Sequence, residues 1–391
     1  MPLARVAPSV LDTTSIYVAT GRGSDVREVV QSLYLALPQS GLSALVVFVS
    51  PDYDPHEFAR HMSSAFPAVP VFGCTTAGEL TPEGLSDGNV LALGFNNIDF
   101  SIVAQPIQAL DQLTIAQVRD HVRSLRHELD NHVEQQASRA QFGMLLVDGL
   151  CLREEALISA ISACLDDIGI VGGSAGDGLN YRNTWVLFDG KAQQNAAVLL
   201  LFSTDLPFRL FKCNSFAPTD EKLVVTGADL DRRVVRELNA EPAALEYARV
   251  INVPDTELDD YHFAAHPVIV RVAGDYYARS IQRVNADGSL TFFCAIDEGL
   301  VLTAAGRLDT LGVVEDMFRL TEAELGEVSL YIGFDCIHRR LDAEQRQIAR
   351  DLSDLYRRHH VVGFNTYGEQ FGSMHLNQTF VGIAVGQRTK S

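Results

Sequence analysis

Val361-Val362-Gly363-Phe364-Asn365-Thr366-Tyr367-Gly368-Glu369-Gln370-Phe371-Gly372 is the stretch from which the rest of the chain can be read, together with His375-Leu376-Asn377-Gln378-Thr379 and the run Phe380-Val381-Gly382-Ile383-Ala384-Val385. A β-branched run enters a glycine turn and an apolar run leaves it, which predicts a strand, a loop and a returning strand. Turn chemistry explains the glycines and tolerates Asn365. It does not explain Tyr367, Glu369, His375 and Asn377. A phenol, a carboxylate, an imidazole and an amide together suit a polar ligand, so these four and Asn365 are the candidate binding residues.

The same layout occurs twice more. Ala44–Val49, a helix opened by Asp54-Pro55-His56-Glu57, the turn Val71-Phe72-Gly73-Cys74-Thr75-Thr76-Ala77-Gly78-Glu79 and the strand Val90–Phe95 form one copy. Phe142–Asp148, a helix from Glu154 to Leu165, the turn Gly169-Ile170-Val171-Gly172-Gly173-Ser174-Ala175-Gly176-Asp177 and the strand Ala196–Phe202 form another. Leu330–Asp335 and a helix over about 343–356 lead into the opening stretch. Aligning the turns pairs Gly73 with Gly172 and Gly363, and Glu79 with Asp177 and Glu369, the middle copy being one residue shorter. Each copy adds a strand directly after its turn, so the unit is not a pure βαβ. The pattern predicts an α/β (α+β) fold: repeated strand-helix-strand-strand units in mixed sheets with helices on one face, two sheets facing each other. It divides into an N-terminal segment, 1–34, and two related parts, 35–230 and 231–391. Residues up to about 12 read as a lead-in. Helical character is expected again after Arg232, and antiparallel strands over 266–272, 276–281 and 290–294.

The chain has 391 residues, 47% of them apolar and 21% charged, with a net charge of −19. That charge argues against nucleic acid, because phosphate binding needs clustered Lys and Arg. No apolar run is long enough for a membrane span, and Met1-Pro2-Leu3-Ala4-Arg5 does not open a secretory signal, so a cytoplasmic location is expected. The six cysteines are scattered without a C-x-x-C. No P-loop or H-E-x-x-H occurs. The letters G-x-S-x-G appear around Ser86 and Ser174 without the helix that a nucleophile elbow requires. An enzyme using Cys336 or Cys74 as nucleophile is a third class of reading; the expectation is a non-enzymatic protein.

On the three glycine turns, and on Gly363 to Gln370 with His375 to Thr379 above all, the chain resembles the FIST family of two-part sensory proteins. It is also similar to the nitric-oxide-sensing haemoproteins of the NosP family. That resemblance implies a haem b cofactor, nitric oxide as ligand, and a partner sensor histidine kinase through which cyclic-di-GMP and biofilm signalling would be regulated. It makes His375, then His338, then His266 the metal-ligand candidates. The alternative is a haem-free FIST sensor of a small organic molecule such as an amino acid, with Glu369 and Tyr367 as polar anchors. A homodimer is compatible with either.

Overall fold

Each repeat builds a strand, a helix on one face of it, and a second strand parallel to the first. In the first repeat these are Leu42–Val49, Pro55–Ala65 and Val71–Thr75. In the second they are Ala140–Val147, Glu154–Leu165 and Gly169–Ser174. The third uses Val328–Cys336, two helices Ile337–Gln345 and Ala349–Arg358, and Val361–Thr366. The computed structural model describes residues 10–13, 15–133, 139–165, 167–272 and 274–388.

Local sequence explains most starts and stops. Asp54 caps its helix by accepting from the Glu57 N–H, with Pro55 in the first turn. The single helix expected over 343–356 is two helices, because Gln347 takes φ 60° and breaks the chain there. The first begins directly after its strand, which puts His338 in a first helical turn.

The glycines of the three turns share one cause. A Cβ on Gly73, Gly172 or Gly363 would lie 2.0, 1.9 or 1.8 Å from the carbonyl oxygen of Val47, Leu145 or Gly333 on the neighbouring strand. Only a residue without a side chain lets the two parallel strands approach there.

Each turn leads into a hairpin instead of the expected loop. Glu79–Thr81 with Gly84–Ser86, Val186–Phe188 with Lys191–Gln193, and Glu369–Phe371 with Met374–Leu376 are antiparallel pairs. Each leaves its own sheet as an arm. The first arm pairs with Val361–Thr366 of the third repeat, the second with Val71–Thr75 of the first, and the third with Gly169–Ser174 of the second. The exchange is cyclic. The chain then returns in Val90–Asn96, Ala196–Thr204 and Thr379–Gly386, each antiparallel to the first strand of its own repeat.

These registers correct the alignment of the middle repeat. Glu79 lies opposite Phe364, Glu369 opposite Gly173, and Val186 opposite Cys74. Val186, not Asp177, therefore stands where the two glutamates stand, and the middle turn is extended by residues 175–185 rather than shortened. Asp177 folds that extension, accepting from the backbone N–H groups of Tyr181, Arg182 and Asn183. The carboxylate missing from the second arm comes from Asp148, which accepts from the Thr184 hydroxyl and the Asn195 N–H. Glu79 does the same with Thr76 and Asn89, and Glu369 with Thr366 and Thr379. Each buried carboxylate ties an arm to the strand by which the chain returns.

Three sheets, not two, face a common core. Phe48 meets Phe364 at 4.7 Å between ring centroids, and Phe142 stacks on Phe202 at 4.5 Å. Helices cover the outer faces as expected: Val26–Ala36 and Pro55–Ala65 on the first, Ile115–Val133 and Glu154–Leu165 on the second, Thr310–Leu325 and Ala349–Arg358 on the third. Ile16–Gly21 is a strand of the first sheet and Val26–Ala36 packs on it, and Val10–Asp12, expected as lead-in, pairs with Ile16–Gly21.

A fourth, antiparallel sheet is inserted between Phe208–Asn214, the edge strand of the third sheet, and the helix Thr310–Leu325. It contains the expected strands Val268–Val272, Asp275–Arg279 and Leu290–Phe292. It also contains Val234–Leu238, a strand where helix was expected; the helix starts at Ala243. Residue 230 falls inside this insertion, just past the strand Phe216–Asp229. Among the described residues, no helix is long and apolar enough to cross a membrane.

Candidate functional site

Registered on their hosts, the three arms can be compared residue by residue. The middle cross-strand pair is Leu80 with Leu85 in the first arm and Leu187 with Ala192 in the second. In the third it is Gln370 with His375. Five of the six are buried and Leu85 is partly so, and apolar pairs are what a buried hairpin needs. The third arm breaks that rule.

The polar pair is incompletely satisfied. Gln370 Nε2 lies 3.0 Å from the Ser174 hydroxyl and 3.2 Å from His375 Nδ1. Gln370 Oε1 and His375 Nε2 are buried with no hydrogen-bond partner. Two more unpartnered buried atoms, Arg279 Nε and Ser280 Oγ, come from the inserted sheet, whose strand Asp275–Arg279 packs on the strand carrying His375. The Ser280 N–H reaches Asn377 Oδ1 at 3.4 Å, and Asn377 Nδ2 reaches the Tyr367 carbonyl at 3.3 Å. Gly368 lies between: a Cβ there would sit 2.7 Å from His375 Nε2 and 3.1 Å from Asn377 Nδ2. Leaving a buried donor or acceptor unpaired costs about 1–3 kcal/mol, so four in one neighbourhood call for an explanation.

Around this group runs a seam between the second repeat and the inserted sheet. Arg233, in the left-handed region with φ 55°, donates to both Glu154 and Glu155 at the start of the helix Glu154–Leu165, and to the Phe293 carbonyl. Glu155 in turn accepts from the Ala295 N–H at 2.8 Å. Burial pushes the His375 pKa down; Glu155 and Glu154 oppose that shift, and Arg233 and Arg279 reinforce it. The ring is therefore read as neutral.

The other candidate residues separate. Tyr367 belongs to the site through its carbonyl and its position. Its hydroxyl is already committed to the Asp177 carboxylate, and burial, then that carboxylate, raises its pKa far above the usual phenol range. Its ring packs on Tyr181 at 5.0 Å and on Phe293 at 5.5 Å. Glu369 is the tie of the third arm, with Oε2 accepting from the Thr379 hydroxyl at 2.7 Å and N–H at 3.1 Å. Burial lifts it to about 8 against those hydrogen bonds. Asn365 sits beside Arg340 and the first arm, exchanging backbone hydrogen bonds with Ala77 and Gly78.

His338 lies 5.5 Å from the Phe293 ring, its Nδ1 3.4 Å from Gln378 Nε2, its Nε2 unpartnered, and burial pushes it down to about 4. His266 ends the helix Asp260–Ala265, half-buried, where burial and then the charge of Arg307 lower its pKa. The thiols of Cys74 and Cys336 are buried, which raises both well above the usual thiol range and disfavours the thiolate a nucleophile needs. No group of three or more His, Cys, Asp and Glu able to hold a metal occurs among the described residues.

Gln370, Arg279, Ser280 and the clamp of Arg233 on Glu154 and Glu155 were not among the expected site residues. Gln370 was within reach: with Glu79 aligned to Glu369, Leu80 and Leu85 fall on Gln370 and His375 by counting alone. The residues of the inserted sheet carry no such signal.

Fold and site together define a two-part α/β protein with a buried, partly unsatisfied polar seam. Residues 43–241 match the FIST N domain and residues 243–372 the FIST C domain. The chain belongs to the FIST family, whose domains are signal-transduction sensors. No curated protein matches it.

Proposed function

We propose that this protein senses a small polar organic molecule at the seam formed by Gln370, His375, Asn377, Arg279 and Ser280. It passes the state of the third arm to a partner chain, with a sensor histidine kinase as the partner to test first. The observation that carries this reading is the contrast among the arms. Two have apolar pairs at the site where the third buries a glutamine and a histidine with unmet hydrogen bonds. A ligand that supplies those bonds adds stability only to the closed seam, which is how binding biases one arrangement over another. A thermal-stability screen of small polar metabolites on the whole chain should find compounds that raise Tm. That response should vanish in His375→Leu, which installs the residue type of the first arm. A screen in which every hit persists in His375→Leu refutes the reading.

Haem with nitric oxide is the second reading, favoured by one observation: His375 and His338 are buried imidazoles, both lowered in pKa, with unpartnered Nε2 atoms. The arrangement does not fit iron ligation as it stands. In both rings Nδ1 faces a side-chain amide nitrogen, whereas a ligating histidine donates its second N–H to an acceptor. An absorbance spectrum after haem loading separates the readings: a Soret band lost in His375→Ala supports haem there, and no band removes it.

A further inference from the structure

The amide of Gln370 faces two neighbours, Ser174 Oγ and His375 Nδ1, with its nitrogen toward both. In that orientation each neighbour accepts one N–H, and a single oxygen is left without a partner. His375 Nδ1 is then an acceptor, and the proton of the neutral ring sits on Nε2. So the unpartnered Nε2 is an N–H donor and not a lone pair. Arg279 Nε–H is a second unpartnered donor and carries a permanent charge. The Ser280 hydroxyl can serve as a third. Against these stands one acceptor, Gln370 Oε1.

We propose that the seam takes a small carboxylate whose oxygens accept from His375 Nε2–H and Arg279 Nε–H, with Gln370 as the positioning residue that fixes the histidine tautomer. This rests on the small-molecule reading above and narrows it to a ligand class. A planar, singly charged carboxylate suits the site better than a phosphate, because Glu154 and Glu155 stand close enough to act on His375 and penalise a second negative charge.

The test is nitrogen-15 NMR of the whole chain labelled at histidine, with the His375 signals assigned by their loss in His375→Leu. The expected spectrum shows the Nε2–H tautomer. Sodium acetate or sodium benzoate should shift its Nε2 resonance, while acetamide and benzamide leave it in place. Gln370→Glu puts a pure acceptor beside Nδ1, so it should move the proton to Nδ1 and weaken benzoate binding by about tenfold or more. Gln370→Leu, the residue of the first arm, should fold and show mixed tautomers with a smaller loss. It keeps the test readable if the glutamate variant is unstable.

An Nδ1–H tautomer in the native chain overturns the assignment, as does an Nε2 resonance unmoved by either carboxylate. If neutral or cationic metabolites bind and their binding is lost in His375→Leu, the anion assignment falls while the small-molecule reading stands. If nothing that binds is lost in that variant, both fall.

Discussion

The first and third arms are built to one register and finished differently. In the first, Leu80 and Leu85 pair, and the space beside Gly78 is filled by Arg340, whose guanidinium would meet a Cβ there at 2.2 Å. Arg340 is fully engaged, with Asp87 at 2.8 Å through Nη1 and Glu344 at 3.0 Å through Nε. In the third, Gln370 and His375 pair, and the space beside Gly368 is filled by the His375 ring, whose Nε2 has no hydrogen-bond partner. The shared frame shows that neither the hairpin nor its tie requires polarity at that pair. The proposed ligand site rests on this polarity in one arm alone.

The frame itself is where the largest effect is expected. Gly172→Ala drives a Cβ into the Leu145 carbonyl, and Gly73→Ala does the same at Val47. Each should cost about 3 kcal/mol or more, or abolish soluble expression, since backbone cannot yield as a side chain can. Urea unfolding of both variants checks this; a cost confined to one would mean the repeats are not equivalent.

Next comes the pH dependence of the ties. Burial lifts Glu369 to about 8 and Glu79 to about 7, so the folded protein holds protons that the unfolded chain releases. Their contribution is complete below the unfolded pKa of about 4.5 and is lost as pH rises through about 8. Unfolding free energy should fall over that range by an amount on the order of a few kcal/mol. Glu369→Gln should flatten the decline, and an unchanged profile would reject the assignment.

Transplanting the third arm's pair into the first, as Leu80→Gln with Leu85→His, should destabilise by about 2 kcal/mol through unpaired buried groups. The reverse exchange, Gln370→Leu with His375→Leu, should stabilise by about 1 kcal/mol and abolish ligand response. Equilibrium unfolding and the ligand screen read both. Should the reverse exchange destabilise as much as the transplant, the polar pair is structural and the contrast between the arms loses its meaning.

Much of the fold was legible in residue order. Most strands, the cap at Asp54, the repeat and its glycines come from local pattern, because each is decided by residues close in sequence. The destination of the arms does not. Glu369–Phe371 pairs with Val171–Gly173, and nothing local to either names the other. The same limit explains the middle repeat. Asp177 comes after its glycine as Glu79 and Glu369 do, so spacing made it their counterpart, but the tie is made in space by Asp148. Within the site, His375 and Asn377 stood out because they are polar among strands. Arg279 and Ser280 lie on an antiparallel sheet where polar residues are ordinary, and only the buried, unpartnered Arg279 Nε and Ser280 Oγ distinguish them.

The cyclic exchange of arms also governs when the molecule can exist. The first arm leaves the ribosome long before its host, Val361–Thr366, has been made, and Gly169–Ser174 waits for Glu369–Phe371. Pairings of that sequence separation make for high contact order, slow closure and strand edges left open in the interval. The three sheets therefore lock together only when the last repeat is synthesised, and that repeat carries the arm proposed here to read a ligand.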